Sequence, residues 1–322
     1  MLIVFATLSG RGIVLAIREG IFMIRSSRRR HHVASVTSGL ALAAVLAATL
    51  TASPAMAVPG ITDVTDDTAS FNFGPASSKT ETATCPAGTR VVGGGGGLLG
   101  GQVADGLVIT QMQPVRPPYG EDFYRVTVND PSGAVDDWGV RATAICAPEL
   151  EDMSMAFGYS TASSSSTQLA TAVCPTGRKV VGNGGTVYNA GGQAGLQVMR
   201  ASTDGARVYA QAHEDADGYS GDWYVFAWAV CATAPAGYEI VMAESPQRDS
   251  ETTKNVRAEC PGSKTLLSAG AATGFSAPAQ VALQFAHAYG GPTSGTADGY
   301  AAENEPTFVD WDFIVAQAIC AT

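Results

Sequence analysis

Downstream of residue 57 the chain alternates apolar and polar residues with a period of two, the pattern of strands with one buried face. FYRVTV places Tyr124, Val126 and Val128 on one face and Arg125 and Thr127 on the other. QVALQFAHAY groups Val281, Leu283, Phe285, His287 and Tyr289, and WGVRATAIC groups Trp138, Val140, Ala142, Ala144 and Cys146. The related WYVFAWAVC keeps that face with Trp223, Val225, Ala227, Ala229 and Cys231. Its other face carries Phe226 and Trp228, so this strand is expected to be buried on both sides. Between Trp311 and Cys320 there is one extra residue, which reverses the parity unless a bulge absorbs it. After residue 57 no useful length of chain follows the 3.6-residue helical period. Short strands broken by Gly, Pro and Asp predict an all-β fold.

Three stretches match one another: CPAGTRVVGGGGG from Cys85, CPTGRKVVGNGGT from Cys174 and CPGSKTLLSAGAA from Cys260. Each follows a Ser/Thr-rich lead and precedes a second match, DWGVRATAICA, DWYVFAWAVCA and DWDFIVAQAICA, ending at Cys146, Cys231 and Cys320. One unit of about 86 residues, used three times, therefore fills the chain as 58–148, 149–234 and 235–322. Each unit has room for five or six strands. The connections APELEDMSMAFGYS and ATAPAGYEIVMAES contain strand-like apolar runs, not Gly/Ser linkers. That favours one pseudo-threefold, prism-like body over three small sandwiches in tandem. A unit with one cysteine near its start and one at its end favours pairing within the unit: Cys85–Cys146, Cys174–Cys231 and Cys260–Cys320. Each such bridge closes a loop of about 60 residues and contributes roughly 4 kcal/mol on the chain-entropy estimate.

The N-terminal region reads differently. Arg25, Arg28, Arg29, Arg30, His31 and His32 precede the small-residue apolar run SGLALAAVLAATL, which closes on Pro54-Ala55-Met56-Ala57. This is the pattern of a secretory signal peptide over 1–57, cleaved after Ala57. Residues 1–22 lie ahead of the basic region, and Met23 would open it directly, so the true start is expected at Met23. His31 and His32 stand where a twin-arginine signal wants apolar residues, which favours the general secretory route. Nothing after residue 57 approaches the roughly 20 apolar residues of a membrane-spanning helix. The expected product is secreted and extracellular, without membrane insertion. All six cysteines follow residue 57, and an even count in an exported chain reads as disulfides.

Charge narrows the partners. Residues 1–57 hold six of the 19 Lys and Arg and one of the 29 Asp and Glu, so the remainder carries a net charge of −15. Such a chain repels nucleic acid, and its acidity serves solubility.

The combination of Cys-Pro-x-Gly, two apolar residues, a glycine-rich run, then Trp and a closing Cys-Ala resembles the repeats of uncharacterised exported proteins of high-GC Gram-positive bacteria. It also resembles repeats of some phage tail appendages. The residues carrying it are Cys85–Gly88 with Val91-Val92-Gly93, Cys174–Gly177 with Val180-Val181-Gly182, and Cys146-Ala147, Cys231-Ala232 and Cys320-Ala321. The third unit departs from it, with Gly262 one place early and Ser268 where glycine is expected. A second, narrower similarity, in the threefold repeat and Cys-Pro-x-Gly alone, is to the β-prism proteins of the egg vitelline outer membrane. That resemblance implies a threefold prism and saccharide binding. Neither supplies a catalytic residue.

Candidate chemistry is sparse. Gly93–Gly97 is followed by no Lys-Ser or Lys-Thr and no helix start, so it is not a phosphate loop. One glycine recurs in all three units, at Gly95, Gly184 and Gly270, and its neighbours stay small; this predicts tight backbone packing beside a strand. Only His213 and His287 could serve as bases, and each reads as a solvent-facing or edge residue. Loop carboxylates such as Asp136-Asp137, Glu303 and Glu305 are too many and too scattered to single out a glycosidase pair. The loop EDADGYSGD, Glu214–Asp222, gathers Asp215, Asp217 and Asp222 around glycines and is the one candidate hard-cation site. The recurrent Asp137-Trp138, Asp222-Trp223 and Asp310-Trp311 reads as a core Trp heading the last strand, with an exposed saccharide platform as the alternative.

The sequence therefore describes a non-enzymatic, cofactor-free, disulfide-stabilised structural or interaction protein whose partner is a cell-surface glycan or protein. A lectin-like protein is the alternative and a secreted hydrolase a third. Non-reducing peptide mapping should return three cysteine-linked peptides, each from one unit; a Cys146–Cys174 peptide would refute the modular pairing.

Overall fold

The computed structural model describes residues 6–9, 12–17, 20–21, 58–67, 77–99, 106–132, 138–246, 248–274, 279–291, 294–303 and 309–322. The basic run, the apolar run and the cleavage site of the leader fall outside these residues. The chain divides into two compact parts, Met1–Ala52 and Ser53–Thr322. In the first, β1 (Ala6–Ser9), β2 (Gly12–Ile17) and β3 (Gly20–Ile21) form a small antiparallel sheet.

In the second part every element among the described residues is a strand. Residues 58–148 supply β4 (Thr62–Asp67), β5 (Ser78–Thr84), β6 (Arg90–Leu99), β7 (Val108–Val115), β8 (Phe123–Asn129) and β9 (Gly139–Ala147). Residues 149–234 supply β10 (Ser154–Tyr159), β11 (Thr167–Val173), β12 (Arg178–Tyr188), β13 (Ala194–Ala201), β14 (Arg207–Glu214) and β15 (Tyr224–Thr233). Residues 235–322 supply β16 (Glu239–Glu244), β17 (Thr253–Glu259), β18 (Thr265–Thr273), β19 (Val281–Gly291), β20 (Ser294–Glu303) and β21 (Ile314–Ala321). These eighteen strands form three six-stranded antiparallel sheets, ordered β10-β15-β12-β7-β8-β5, β11-β14-β13-β18-β21-β16 and β17-β20-β19-β6-β9-β4.

No sheet belongs to one unit. Each unit places three strands in one sheet and three in the next, and the third sheet joins residues 253–303 back to residues 62–147. Tandem independent sandwiches are incompatible with this strand order. The halves meet through only two residue pairs each: Gly185↔Met112 and Thr186↔Gln111, Val198↔Ala272 and Met199↔Ala271, Phe285↔Gly97 and Ala286↔Gly96. The disulfides Cys85–Cys146, Cys174–Cys231 and Cys260–Cys320 have Cα separations of 5.7, 5.6 and 5.7 Å. In each, one cysteine directly follows a strand of one sheet and the other lies in a strand of the adjoining sheet, so the three bonds join the three sheets pairwise.

Bulges decide which residues point inward. In β6, β12 and β18 the register shifts at Val92, Val181 and Leu267, all fully buried. Two successive apolar residues thereby face the interior, which accounts for the repeated valine pair. A second set of shifts lies at Thr110, Gln197 and Gln284 in β7, β13 and β19. It corrects the single-face reading of QVALQFAHAY: Val281 and Leu283 are buried on one face, while Phe285 and Tyr289, beyond the shift, are partly exposed or exposed on the other. The extra residue of the third unit is absorbed ahead of β21, outside the ladder. Trp311 and Ile314 are both buried, and the pair Asp312-Phe313 occupies the place that Tyr224 alone fills between Trp223 and Val225.

Where the units meet, the backbones leave no room for a side chain. A Cβ on Gly93 would lie 2.3 Å from the Leu267 carbonyl oxygen, and one on Gly182 would lie 2.1 Å from that of Val92. Ser268, at the matching position, donates to Asn183 Oδ1 at 2.7 Å and packs against Gly94. The recurrent Gly95, Gly184 and Gly270 face β19, β7 and β13 respectively, where a Cβ would come within 2.2, 2.8 and 2.7 Å of a neighbouring atom. The demand is close backbone approach between units, not a left-handed conformation. Matching segments of the three units, Val108-Ile109, Gly195-Leu196 and Ala282-Leu283, also line one cavity of about 10 Å³, room for a single water at most.

Gly182→Ala should therefore destabilise the protein by about 3 kcal/mol or more, since only backbone can give way. Gly262→Ala, at φ 65° with nothing within 4 Å, should cost about 1 kcal/mol. Urea unfolding of the two variants checks this, and equal losses would refute the packing argument.

Candidate functional site

Trp138, Trp223 and Trp311 are buried, 0, 0 and 1 % exposed. The reading of a core Trp at the head of the last strand holds and the saccharide-platform alternative falls, because all three rings are buried, two of them beneath a lysine. Lys79 and Lys254 each place Nζ 4.4 Å from the ring centroid, of Trp138 and Trp311 respectively. Lys79 also donates to the Trp138 carbonyl. Lys254, itself buried, donates to the Trp311 carbonyl at 2.9 Å and lies 3.1 Å from Asp249. Gln168 holds the matching position in the second unit and donates to Ser163 Oγ at 2.6 Å. Trp223 Nε1 donates to the buried Glu214 at 2.7 Å, and Trp311 Nε1 to the Glu251 carbonyl at 2.6 Å. The signal for these partners was present in the sequence, six residues before the first cysteine of each unit, and composition alone does not reveal it. Asp222 and Asp310 are exposed, and Asp137 lies outside the described residues.

The proposed cation loop does not assemble. Asp217 and Asp222 are exposed, and Asp215 accepts the Gly218 amide at 3.1 Å. Burial raises the Asp215 carboxyl, with the nearby acids Asp217 and Glu214 adding to the effect. Among the described residues no three His, Cys, Asp or Glu side chains gather as a metal requires. The cysteines are all in disulfides.

The two histidines part company. His213 lies in β14 with Nδ1 2.7 Å from the Glu214 carbonyl oxygen. His287 is buried, which corrects its reading as a surface or edge residue. Its ring stacks on Phe285 at 4.3 Å, its Nδ1 lies 3.1 Å from Tyr289 Oη, and its Nε2 has no partner. Desolvation first, and Arg141 second, lower its pKa to about 4, against the opposing pull of Asp298 and Asp67.

The second unit presents a feature that its sequence pattern disguised. Among the described residues no second layer covers Phe226 and Trp228, which corrects the expectation of a strand buried on both faces. They stand half-buried on the outer face of the first sheet. In register on either side are Phe157 and Tyr159 of β10 and Tyr188 of β12, beside Tyr224 of β15 itself. The rings form one contiguous set: Tyr188–Tyr224 are stacked at 5.4 Å and Phe226–Trp228 at 5.5 Å, with Phe157 5.6 Å from Trp228 and Tyr159 5.3 Å from Phe226. Phe157 is 59 % and Tyr159 66 % exposed. From these rings the same face continues through the buried Thr186 and Gln113 to the partly exposed Gln111 and Thr127 and the exposed Thr80. Trp228 Nε1 donates to Thr186 Oγ1 at 3.3 Å, and Thr186 donates to Gln113. Thr127 donates to Gln111 at 3.0 Å and lies 2.9 Å from Thr80 Oγ1.

The fold does not require these rings. At matching ladder positions the first unit has Thr65, Asp67, Arg141 and Thr143 in place of Phe157, Tyr159, Phe226 and Trp228. The third unit has Met242, Glu244, Val315 and Gln317 there. The two larger depressions of the surface lie elsewhere: one of about 320 Å³ beside Asn255, Arg257, Phe285 and Asp298, and one of about 310 Å³ beside Asp249, Glu251 and Lys254. No protein-family model matches the chain, and no curated protein is significantly similar to it.

A pH dependence follows from His287. The folded state holds its imidazole neutral down to about pH 4, while an unfolded histidine titrates near 6.5, so protons bind preferentially to the unfolded chain between those values. Its share of stability is intact above about pH 7 and is lost as pH falls through 6.5 toward 4, by on the order of 3 kcal/mol. His287→Phe should flatten the difference in urea-unfolding free energy between about pH 7 and pH 4.5. An unchanged difference would mean the imidazole is not the titrating group.

Proposed function

We propose that the chain is a non-catalytic, exported interaction protein of the cell exterior that docks through the six-ring face of the second unit. The observation that carries this reading is the contrast between units: rings gather where the fold accepts Thr, Asp, Arg, Met or Gln equally well. A contiguous exposed aromatic patch on an otherwise acidic chain is a liability for solubility unless something binds it. Aromatic residues are also the side chains that most often anchor a partner. Three disulfides belong to an oxidising environment and agree with the leader read from the sequence. The site of His213, turned to a carbonyl oxygen, and the burial of His287 support a non-catalytic reading.

Retention on isolated envelopes of the producing cell tests the proposal. The wild-type protein should co-sediment with them, and a Phe157→Ala/Tyr159→Ala/Trp228→Ala variant with an unchanged circular-dichroism spectrum should bind at least about tenfold more weakly, a loss of about 1.4 kcal/mol. Equal retention of both proteins would overturn it.

A further inference from the structure

The geometry points to a neutral polysaccharide chain as the ligand of the six-ring face, lying across the strands from Phe157 and Tyr159 toward Gln111 and Thr127; this inference rests on the docking role proposed above.

Three features of the face select that chemistry. First, it is open. Phe157 and Tyr159 are more than half exposed on an edge strand, and among the described residues none of the three concavities described above includes a ring of this face. An open face needs an extended ligand that collects many weak contacts. Second, the register aligns two rows across the sheet. One runs Tyr159, Phe226, Thr186, Gln111, Thr127 and Thr80, and the other Phe157, Trp228, Gly184, Gln113, Arg125 and Thr82. Each row passes from rings to hydroxyl and amide groups in steps of one strand, about 4.8 Å. A pyranose chain offers the complement, apolar C–H faces for the rings and a rim of hydroxyls for Gln111, Thr127 and Thr80, while the buried Thr186 and Gln113 hold the junction between the two halves.

Third, the face is neutral. Neither row contains a carboxylate, and the single charge, Arg125, is drawn over the Phe123 ring at 4.9 Å. The chain as a whole is strongly acidic and repels an anionic glycan, so an uncharged one is favoured. The rings are also held before the ligand arrives. Stacked pairs at 15° and 17° fix Tyr188 on Tyr224 and Phe226 on Trp228, and the Trp228–Thr186–Gln113 hydrogen bonds fix the junction of the two halves. Side chains already immobile lose little entropy on binding.

Co-sedimentation with insoluble cellulose, chitin and mannan, and affinity electrophoresis in gels containing soluble β-glucan, amylose or dextran, test the inference on the full exported chain. Retardation or retention by at least one of these polymers is expected. It should weaken at least tenfold in Phe157→Ala/Trp228→Ala and severalfold in Thr186→Val/Gln113→Leu, with thermal unfolding unchanged by either. Phe285→Ala, on a different sheet, should bind like the wild type. Binding to none of the polymers, or binding indifferent to the ring variants, overturns the glycan assignment. If envelope retention depends on the rings but is abolished by protease treatment of the envelopes, the ligand is a protein: the glycan inference falls and the docking role stands. If envelope retention ignores the rings, the docking role itself falls.

Discussion

The close approach of three backbones at Gly93, Gly182 and Ser268 is the constraint on which the rest of the fold depends. Each of these residues belongs to a strand at the middle of its six-stranded sheet; Gly93 and Gly182 meet another unit at distances that exclude a Cβ, and Ser268 meets Asn183 through its hydroxyl. Because the strands come this close, each must bend, and the bulges at Val92, Val181 and Leu267 supply the bend and an additional buried apolar side chain. Beyond the bulge, the small residues at Gly95, Gly184 and Gly270 let a strand of the neighbouring unit pair alongside. The five-glycine run is thus packed sheet. Gly94 lies under Tyr124 and Gly96 under Val126, so the run passes through the interior without a side chain of its own because the neighbours fill the space.

Sharing of sheets between units has an energetic consequence. The ladder that joins Gly97 to Phe285 closes a span of 188 residues, with only two residue pairs to offset the closure entropy. No unit completes a sheet by itself, so the stability of each unit is tied to the others. The disulfides act at the weak point of such a design. Each joins adjoining sheets within one unit, and the chain-entropy estimate of roughly 4 kcal/mol per bond is comparable with the net stability of a small domain.

Much of the fold was legible because its demands are local. The parity of FYRVTV and WGVRATAIC, the cysteine at each end of a unit and the small residues after the valine pair each report one strand or one contact, and Tyr124, Trp138 and Cys146 stand where those patterns put them. What escaped were effects of tertiary geometry on parity. The bulge at Gln284 turns Phe285, His287 and Tyr289 onto the other face, and nothing in QVALQFAHAY announces it. The candidate site failed for a related reason. An apolar second face reads in sequence as burial, yet Phe226 and Trp228 lie in a sheet whose outer face is covered only by other rings of the same face. Recurrence reported the fold and not a site: Asp-Trp occurs three times because a buried ring heads the last strand in every unit, as the pattern suggested.

That distinction carries the functional argument. In a chain with three units, what recurs at matched positions reports what the architecture requires, and what occurs once reports something beyond it. The side chains at one matched position, Lys79, Gln168 and Lys254, and the buried acids Asp130, Glu214 and Glu303 fall in the first class. The six rings fall in the second, and so does the grouping of Phe285, His287, Tyr289 and Tyr300 on the third sheet. The two aromatic groups differ in a way that decides between them. The second is charged, with Arg141, Asp298 and Asp67 close enough to act on His287, and its central imidazole is already enclosed. The six-ring face is uncharged over its aromatic half, exposed at Phe157 and Tyr159, and leads directly into a ladder of hydroxyls and amides. Desolvating ion pairs is expensive, whereas covering rings and exchanging hydrogen bonds with hydroxyls is not. The cheaper surface to cover is therefore the one on the second unit, which favours it as the docking face proposed above.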